Sequence, residues 1–344
     1  MKAPEARSPG GEPTIDDVAA AAGVSIRTVS RVLNKSPKVN ENTRKSIEDI
    51  IDRLNFKPSR GARALAMRRS FLIGLVHNDQ NALVLDSIQR GIARVASPNG
   101  YELVVHACPD QDDAVIDDVL AFIDRSRVDG IILLPPVSGV AGLPEALDTC
   151  PVTAVALSSI PIEGFAGVVL SEERQAGAEV ARHLLGLGHR ALGLVNGPEG
   201  VASAQERRTG FLGEIANQAG ISLAETSGDY SFASGVLAAE ELLSREPRPT
   251  AIFAANDIMA AGVMKVAATR RIAVPGQLSI VGFDGSILTR MLTPALTSVL
   301  RPFGEMAAGA AGQLIARIEG KTAAPTMPHA LELVPAESTG PAPA

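Results

Sequence analysis

The sequence contains no tryptophan, two tyrosines and nine phenylalanines in 344 residues. A core so poor in rings must be aliphatic, and a hydrophobic content of 46 % supplies enough aliphatic side chains to exclude a disordered chain. Cysteine is nearly absent. Cys108 and Cys150 cannot build a disulfide framework, and so sparing a use of thiols fits the reducing cytoplasm. No uncharged apolar run reaches the roughly 18 residues of a membrane span. Residues 1–13 interleave charge with proline and glycine and lack the apolar stretch of a secretory leader. Enzyme signatures are missing too. No G-x-S-x-G elbow occurs, and Gly320-Lys321-Thr322 ends like a phosphate loop but has Ile315 where that loop needs glycine. His77, His106, His183, His189 and His329 show no paired metal-ligand spacing. The sequence therefore predicts no catalytic residue, no metal and no cofactor.

A formal net charge of -6 argues against nucleic acid, but the total hides a division. Residues 1–70 carry 14 Lys/Arg against 8 Asp/Glu, and the remainder 18 against 30. A basic module of +6 thus precedes an acidic one of -12. Charge alone leaves two readings of the first module open, a polyanion partner or a solvated basic face.

Local pattern distinguishes them. Thr14 can cap a helix from Ile15, with Asp16 and Asp17 complementing its positive end. Ile15, Val18, Ala19 and Ala22 recur at helical spacing. Gly23 breaks that helix, and Ser25 caps a second over Ile26 to Leu33, with Val29, Val32 and Leu33 apolar. Ile26, Arg27, Ser30 and Arg31 are left to face outward. A third helix, Glu41 to Leu54, follows Asn40 and packs through Ile47, Ile50, Ile51 and Leu54. Two short helices joined by a glycine turn form a helix-turn-helix, whose second helix enters the DNA major groove.

The string Thr14-Ile-Asp-Asp-Val-Ala-Ala-Ala-Ala-Gly-Val-Ser-Ile-Arg-Thr-Val-Ser-Arg-Val-Leu-Asn34 resembles the DNA-binding head of the lactose repressor (LacI/GalR) family. So do Val39-Asn-Glu-Asn-Thr-Arg44 and Leu54-Asn-Phe-Lys-Pro-Ser-Arg60. The resemblance implies that Ile26, Arg27 and Arg31 read bases. Arginine suits the O6/N7 edge of guanine, and isoleucine a thymine methyl. Ser25, Thr28, Ser30 and Asn34 are placed to bind phosphates. It further implies a hinge helix within Ser59-Arg-Gly-Ala-Arg-Ala-Leu-Ala-Met-Arg-Arg-Ser70 that forms on DNA. Arg60, Ala62 and Leu65 would contact DNA there, Leu65 as a minor-groove wedge. Gly61 weakens so short a helix by ~1 kcal/mol, so the hinge is expected to order only on its operator. Without the resemblance, Leu65 would be read as packing on its own core.

After Ser70 apolar runs alternate with helical stretches. The runs are 71–76, 101–106, 130–134, 151–157, 191–195, 251–254 and 279–283. The stretches are 85–95, 112–126, 174–187, 205–219, 233–245, 257–269 and 303–318. Such alternation predicts α/β architecture with doubly wound parallel sheets, which bind ligands at the carboxyl ends of strands. Val128-Asp-Gly-Ile-Ile-Leu, His183-Leu-Leu-Gly-Leu-Gly-His-Arg190, Arg207-Arg-Thr-Gly-Phe211, Ala254-Ala-Asn-Asp-Ile-Met-Ala-Ala-Gly262, Val281-Gly-Phe-Asp284 and Leu296-Thr-Ser-Val299 resemble the same family's effector core. The resemblance implies a two-subdomain core of periplasmic-binding-protein type behind the small all-α head. Expected boundaries are a disordered arm at 1–13, the head at 14–58 and the hinge at 59–70. One subdomain then comprises 71–170 and 301–328, the other 171–300 and 329–335, with a disordered tail at 336–344.

Carried over residue by residue, the resemblance puts Arg207, Asn256 and Asp284 against a polar ligand and Tyr230 where a sugar ring could stack. Asn78, Ser203 and Phe303 line the cleft. Each polar residue has a plainer reading: Asp284-Gly285 as a turn, Asn256 as a helix cap, Arg207 in a surface ion pair. The sequence departs from the family at Ser171-Glu172, where an acidic-amide or acidic pair is usual, and at Asn81-Ala82-Leu83-Val84, which lacks the aromatic lid. It also has Arg301 where glutamine is usual. A second guanidinium would favour an anionic effector, unless Arg301 serves the hinge between subdomains.

The expected function is a homodimeric, cytoplasmic regulator, most simply a repressor, of a palindromic double-stranded operator, switched by a sugar or sugar derivative and without a membrane partner. The tail lacks a leucine heptad, which favours dimers over tetramers. The competing reading is a stand-alone sugar-binding protein, which would leave the basic head without a purpose.

Overall fold

In the computed structural model the described residues are 13–33, 36, 38–56, 67, 69–78, 81–109, 112–216, 218–323 and 327–343. The chain divides into two units, Met1–Ser70 and Phe71–Ala344. Of the sequence-predicted DNA contacts, Asn34, Arg60, Ala62 and Leu65 lie outside the described residues.

Three helices make the first unit. Helix α1 (Ile15–Ala22) begins with a reciprocal cap: Asp17 N donates to Thr14 Oγ1, and Thr14 N donates to the Asp17 carboxylate at 2.7 Å. Gly23 ends it at φ +62°, a left-handed turn that costs glycine little. Helix α2 (Ile26–Leu33) starts from Ser25, whose Oγ accepts from Thr28 N at 3.2 Å. Helix α3 (Glu41–Leu54) starts from Asn40, whose Oδ1 accepts from Thr43 N at 2.8 Å. Val18, Ala19, Val29, Val32, Ile47 and Phe56 form the core between them. Each fully buried aliphatic side chain contributes about 1.5–3 kcal/mol.

The second unit opens with β1 (Leu72–His77), α4 (Ala82–Ala96), β2 (Glu102–Ala107), α5 (Asp112–Ser126), β3 (Gly130–Leu133), α6 (Leu143–Leu147), β4 (Thr153–Ser158) and β5 (Gly167–Leu170). It continues with α7 (Glu173–Gly186), β6 (Ala191–Asn196), α8 (Ala202–Ile215), β7 (Ser222–Ser227), α9 (Phe232–Leu242), β8 (Ala251–Ala254), α10 (Asp257–Thr269) and β9 (Ser279–Asp284). Helix α11 (Leu288–Met291), β10 (Thr297–Leu300), α12 (Phe303–Ile318) and β11 (Glu332–Val334) complete it. One sheet has the order β2-β1-β3-β4-β5, all parallel, and the other β11-β10-β9-β8-β6-β7, in which β11 alone is antiparallel. The inner strands are buried on both faces, as helices on each side require.

The chain passes between the sheets after β5, again after β10, and back before β11. Helix α12 consequently packs on the first sheet with Phe303, Met306, Ala310 and Leu314 in its core. The first and last passages lie side by side, with Ser171 bridged to His329 and Glu172 N donating to His329 O at 3.0 Å.

The C-terminal segment departs from expectation. The sequence predicts a disordered tail at 336–344, yet Ser338 is fully buried. Its N donates to Ala295 O at 2.9 Å, and its Oγ donates to Ile280 O at 2.6 Å and accepts from Thr297 N at 2.8 Å. Gly340 N donates to Ser279 Oγ at 3.0 Å, and Ala342 N donates to Leu187 O at 2.8 Å. The segment's Pro/Ala/Gly composition gives no local pattern. Its order comes from satisfying backbone groups of the second subdomain that would otherwise be buried unpaired. That subdomain therefore extends well beyond residue 335.

Candidate functional site

On the head, Ser25, Ile26 and Arg27 are exposed at the start of α2, and Thr28, Ser30 and Arg31 are half-buried along it. Burying Val29 and Val32 turns these polar side chains outward, since residues three and four apart share a helix face. Ile26 keeps 46 % of its surface exposed, an unusual state for isoleucine and a suitable one for meeting a base methyl. Among the described residues neither Arg27 nor Arg31 has an ion-pair partner, so both guanidinium groups are uncommitted within the unit. The side chains of Ser25 and Thr28 bond each other at 2.9 Å.

In the core, the packing of α7 on α8 sets the site. A Cβ on Gly177 would collide with Arg207 O, and one on Gly210 with Arg174 O, so two glycines let the helix backbones approach. That approach brings Glu173, in the first turn of α7, against Arg207 in α8. Arg207 Nε donates to Glu173 Oε2 at 2.6 Å, its Nη1 donates to Ala255 O, and its guanidinium lies 3.8 Å over the Phe283 ring. Arg301, in the second passage between sheets, reaches the same carboxylate, Nη2 to Oε1 at 2.9 Å. Asp284 closes the group from the end of β9, at 3.4 Å from Arg301 and 3.9 Å from Arg207. One buried and one largely buried cation thus face two buried anions.

The charges are mutually held. Burial opposes ionisation of Glu173, but Arg207 and Arg301 outweigh it and hold the carboxyl below its ordinary range. Asp257, at the start of α10, is pushed the other way, to about 7, by burial and then by Asp284. Ser298 Oγ donates to it at 2.5 Å, and Ser286 donates through N at 2.8 Å and Oγ at 2.9 Å.

Of the residues singled out from the sequence, Arg207, Asp284, Arg301 and Phe303 come together directly. Phe303 lies in the first subdomain's core and carries Arg301 4.4 Å above its ring. Tyr230, Ser203 and Asn256 form a neighbouring group. Tyr230 Oη and Ser203 Oγ are 3.5 Å apart, and the ring lies against Gly197, where any Cβ would strike it. Asn256 is committed elsewhere: its Oδ1 accepts from Met259 N at 2.8 Å as the cap of α10, and its Nδ2 donates to Tyr230 O at 3.0 Å. Asn78 is half-buried after β1. Asp284 at φ +107° and Tyr230 at φ +68° hold backbone conformations that cost ~1–3 kcal/mol each outside glycine, a cost that collects at functional sites.

Arg301 is not the free second guanidinium that the sequence suggests, because Glu173 supplies its countercharge from within the chain. Glu173 itself escapes sequence reading: an acid in a first helical turn looks like an ordinary complement to the helix dipole. Asn196, at the end of β6, was also missed. It borders a cavity of about 310 Å³ that also touches Gly197, Arg208 and Glu225, and its Oδ1 is buried with no partner among the described residues. The buried Nε of Arg301 has none either. Among the described residues no helix is long and apolar enough to cross a membrane.

Comparison with known proteins accords with this arrangement. Residues 14–59 match the family described as bacterial regulatory proteins, lacI family, and residues 181–339 match the periplasmic binding protein-like domain. The chain is 34 % identical over 310 residues to the ribose operon repressor of Halalkalibacterium halodurans, covering 90 % of this chain and 91 % of that protein. It superposes on the lac repressor dimer bound to operator and an anti-inducer with TM-score 0.79 and 27 % identity, over 96 % of this chain and 100 % of that one. A complex of the regulator CelR with cellobiose gives TM-score 0.69 and 28 % identity, over 95 % and 99 %. With a helix-turn-helix head, two parallel-sheet subdomains and relatives matched along nearly its whole length, the chain belongs to the lacI family of bacterial regulatory proteins and is a DNA-binding transcriptional regulator, not an enzyme.

Proposed function

We propose that this regulator is a cytoplasmic, homodimeric repressor whose hold on a palindromic operator is controlled by a neutral polyhydroxy molecule, a sugar without net charge. The observation that carries the reading is the closed group of Glu173, Asp284, Arg207 and Arg301 at the carboxyl ends of the second sheet. A site whose two cations are already matched offers an anion no net attraction, and a phosphate would have to displace a buried carboxylate. Arg301 Nε, in this group, is a buried donor without a partner among the described residues, and Asn196 Oδ1, at the end of β6, is a buried acceptor without one. Hydroxyls, which both donate and accept, answer that pair. Tyr230 supplies an aromatic face beside them, and the related proteins include a ribose operon repressor and a regulator crystallised with cellobiose.

On the head, Arg27, Arg31 and Ile26 would read bases, with Ser25, Thr28 and Ser30 on phosphates. A dimer supplies the second half-site, and Phe232, Ile287 and Met291 leave apolar surface exposed on the second subdomain. The test is calorimetry on the full chain with paired ligands, each neutral pentose, hexose or disaccharide against its phosphate or uronate. The neutral member should bind at least tenfold more tightly and should change the anisotropy of a labelled operator duplex selected by the protein. Preference for the charged member would overturn the ligand class, and a ligand without effect on DNA binding would overturn the switch.

A further inference from the structure

The geometry points to a metal site away from the effector cleft, in which His106, Cys108 and Asp118 hold a zinc-class divalent cation between the edge strand of the first sheet and α5. Neither the DNA-binding head nor the effector cleft uses these residues. His106 is in β2 and Cys108 follows it, and the two-residue spacing turns both side chains to the same face of the strand. Asp118 comes to meet them from α5. Their ligand atoms all lie within 4.8 Å of one another, and His106 Nε2 is 2.6 Å from Asp118 Oδ2.

An imidazole, a thiolate and a carboxylate together form the mixed donor set that zinc accepts. With metal–nitrogen and metal–oxygen bonds of ~2.0–2.2 Å and metal–sulfur of ~2.3 Å, tetrahedral donors stand roughly 3.3–3.7 Å apart. Closing the widest gap and opening the imidazole–carboxylate contact each takes a shift of about 1 Å, within the reach of side-chain rotation. Three protein ligands leave the fourth position to water. The imidazole is already oriented, stacked on Phe122 at 4.4 Å between centroids and 6° between planes. Cys108 is buried in the apolar cluster with Val115, Val119 and Phe122, while Asp118 keeps 32 % of its side chain exposed and gives the ion a way in.

The rival reading of these residues is a cysteine nucleophile with a histidine base. It fails on geometry, because Nε2 of His106 is taken by Asp118 rather than turned to the thiol. The histidine spacing gave no warning of the site, since the pattern that builds it is His-x-Cys on a strand with a carboxylate from the following helix. Bound there, the ion would staple an edge strand to the helix that covers it.

The full chain, purified without a polyhistidine tag, stripped with chelator and kept reduced, is titrated with zinc against a chromophoric chelator. Cobalt is then added in place of zinc. Wild type and Cys150→Ala should each bind one equivalent of zinc and show the thiolate-to-cobalt charge-transfer band. His106→Ala and Cys108→Ala should each bind at least ~100-fold more weakly, more than the ~10–100-fold that losing an outer-sphere partner costs, while melting normally without metal. If either fails to fold, Cys108→Ser keeps the shape of the side chain and must abolish the charge-transfer band. Absence of stoichiometric binding in wild type, retention of binding in both ligand variants, or loss of the band only in Cys150→Ala overturns the site.

Discussion

Substituting Glu173→Gln keeps the shape of the side chain that joins Arg207 to Arg301 and removes its charge. Glu173 is wholly buried, with its two oxygens at 2.6 and 2.9 Å from the two guanidinium groups and a third bond, at 3.0 Å, from Ser171 Oγ. Arg207 is itself buried and Arg301 nearly so, with side chains 3 % and 12 % exposed. Without Glu173 they share one carboxylate, Asp284, at 3.9 and 3.4 Å. Breaking a buried pair by removing one partner costs about 3–5 kcal/mol, because the remaining charge stays desolvated. In a unit of this size each kcal/mol moves the melting temperature by about 2–4 °C, so E173Q should melt roughly 6–20 °C below wild type. Arg174→Gln, which breaks the surface pair to Glu206 with Arg174 61 % exposed, should cost no more than about 1 kcal/mol. Calorimetry on the full chain, following the transition of the larger unit, makes the comparison. The acid limb supplies a second check. Because Glu173 is held below its unfolded-state value, its contribution is complete above the ordinary carboxylate range and is lost as pH falls through the lowered folded value. E173Q should lack that loss. A variant melting within about 2 °C of wild type would refute the view that Glu173 carries the cluster.

Asp257 acts in the next pH window with the opposite sign. Its folded-state value of about 7 lies above the ordinary 3.8, so its contribution is complete below the ordinary value and is lost as pH rises through about 7. Denaturation midpoints of wild type should therefore include a fall of a few kcal/mol across that window, at ~1.4 kcal/mol per unit, that Asp257→Asn removes; an unchanged slope would count against it. Ending the chain after Pro335 removes the partners of Ala295 O, Ile280 O and Thr297 N. At about 1–3 kcal/mol for each buried group left unmet and about 2–4 °C per kcal/mol, the second unit should melt at least ~6 °C lower, and normal melting would show the tail to be dispensable. Arg27→Ala should weaken binding to the selected operator by ~1–3 kcal/mol and relax preference at one base per half-site. Equal loss on every sequence, measured by anisotropy, would assign Arg27 to phosphate.

Much of the architecture was legible in the sequence because periodicity there is unopposed. Asp257–Thr269, Phe303–Ile318 and Ala251–Ala254 are visible residue for residue, the helices being long and the strand uniformly apolar. Strand β7, Ser-Leu-Ala-Glu-Thr-Ser, was not. It lies at a sheet edge, where few side chains need be apolar and the alternation is lost. The three-residue β11 and the tail are held by hydrogen bonds to residues roughly 30–60 positions away, and no local pattern records a partner at that distance. The cleft divides in the same way. Arg207 and Asp284 stand in strings that carry the family resemblance, whereas Glu173 becomes a cleft residue only when two glycines bring α7 onto α8.

The position of Arg301 shows why such a cleft can serve as a switch. Arg301 lies in the passage between the subdomains. It bonds Glu173 and Asp284 of the second subdomain while its guanidinium rests on Phe303, whose ring is part of the first subdomain's core. Movement at Arg301 is therefore felt by both bodies at once. Short segments between rigid domains are where closure is absorbed, and a ligand biases closure only by its difference in affinity for the two states. The unmet Nε of Arg301 would put that difference where it counts in the proposed switch: a hydroxyl bonding it would contact the passage itself, and ligand affinity and subdomain angle would then be coupled through one side chain.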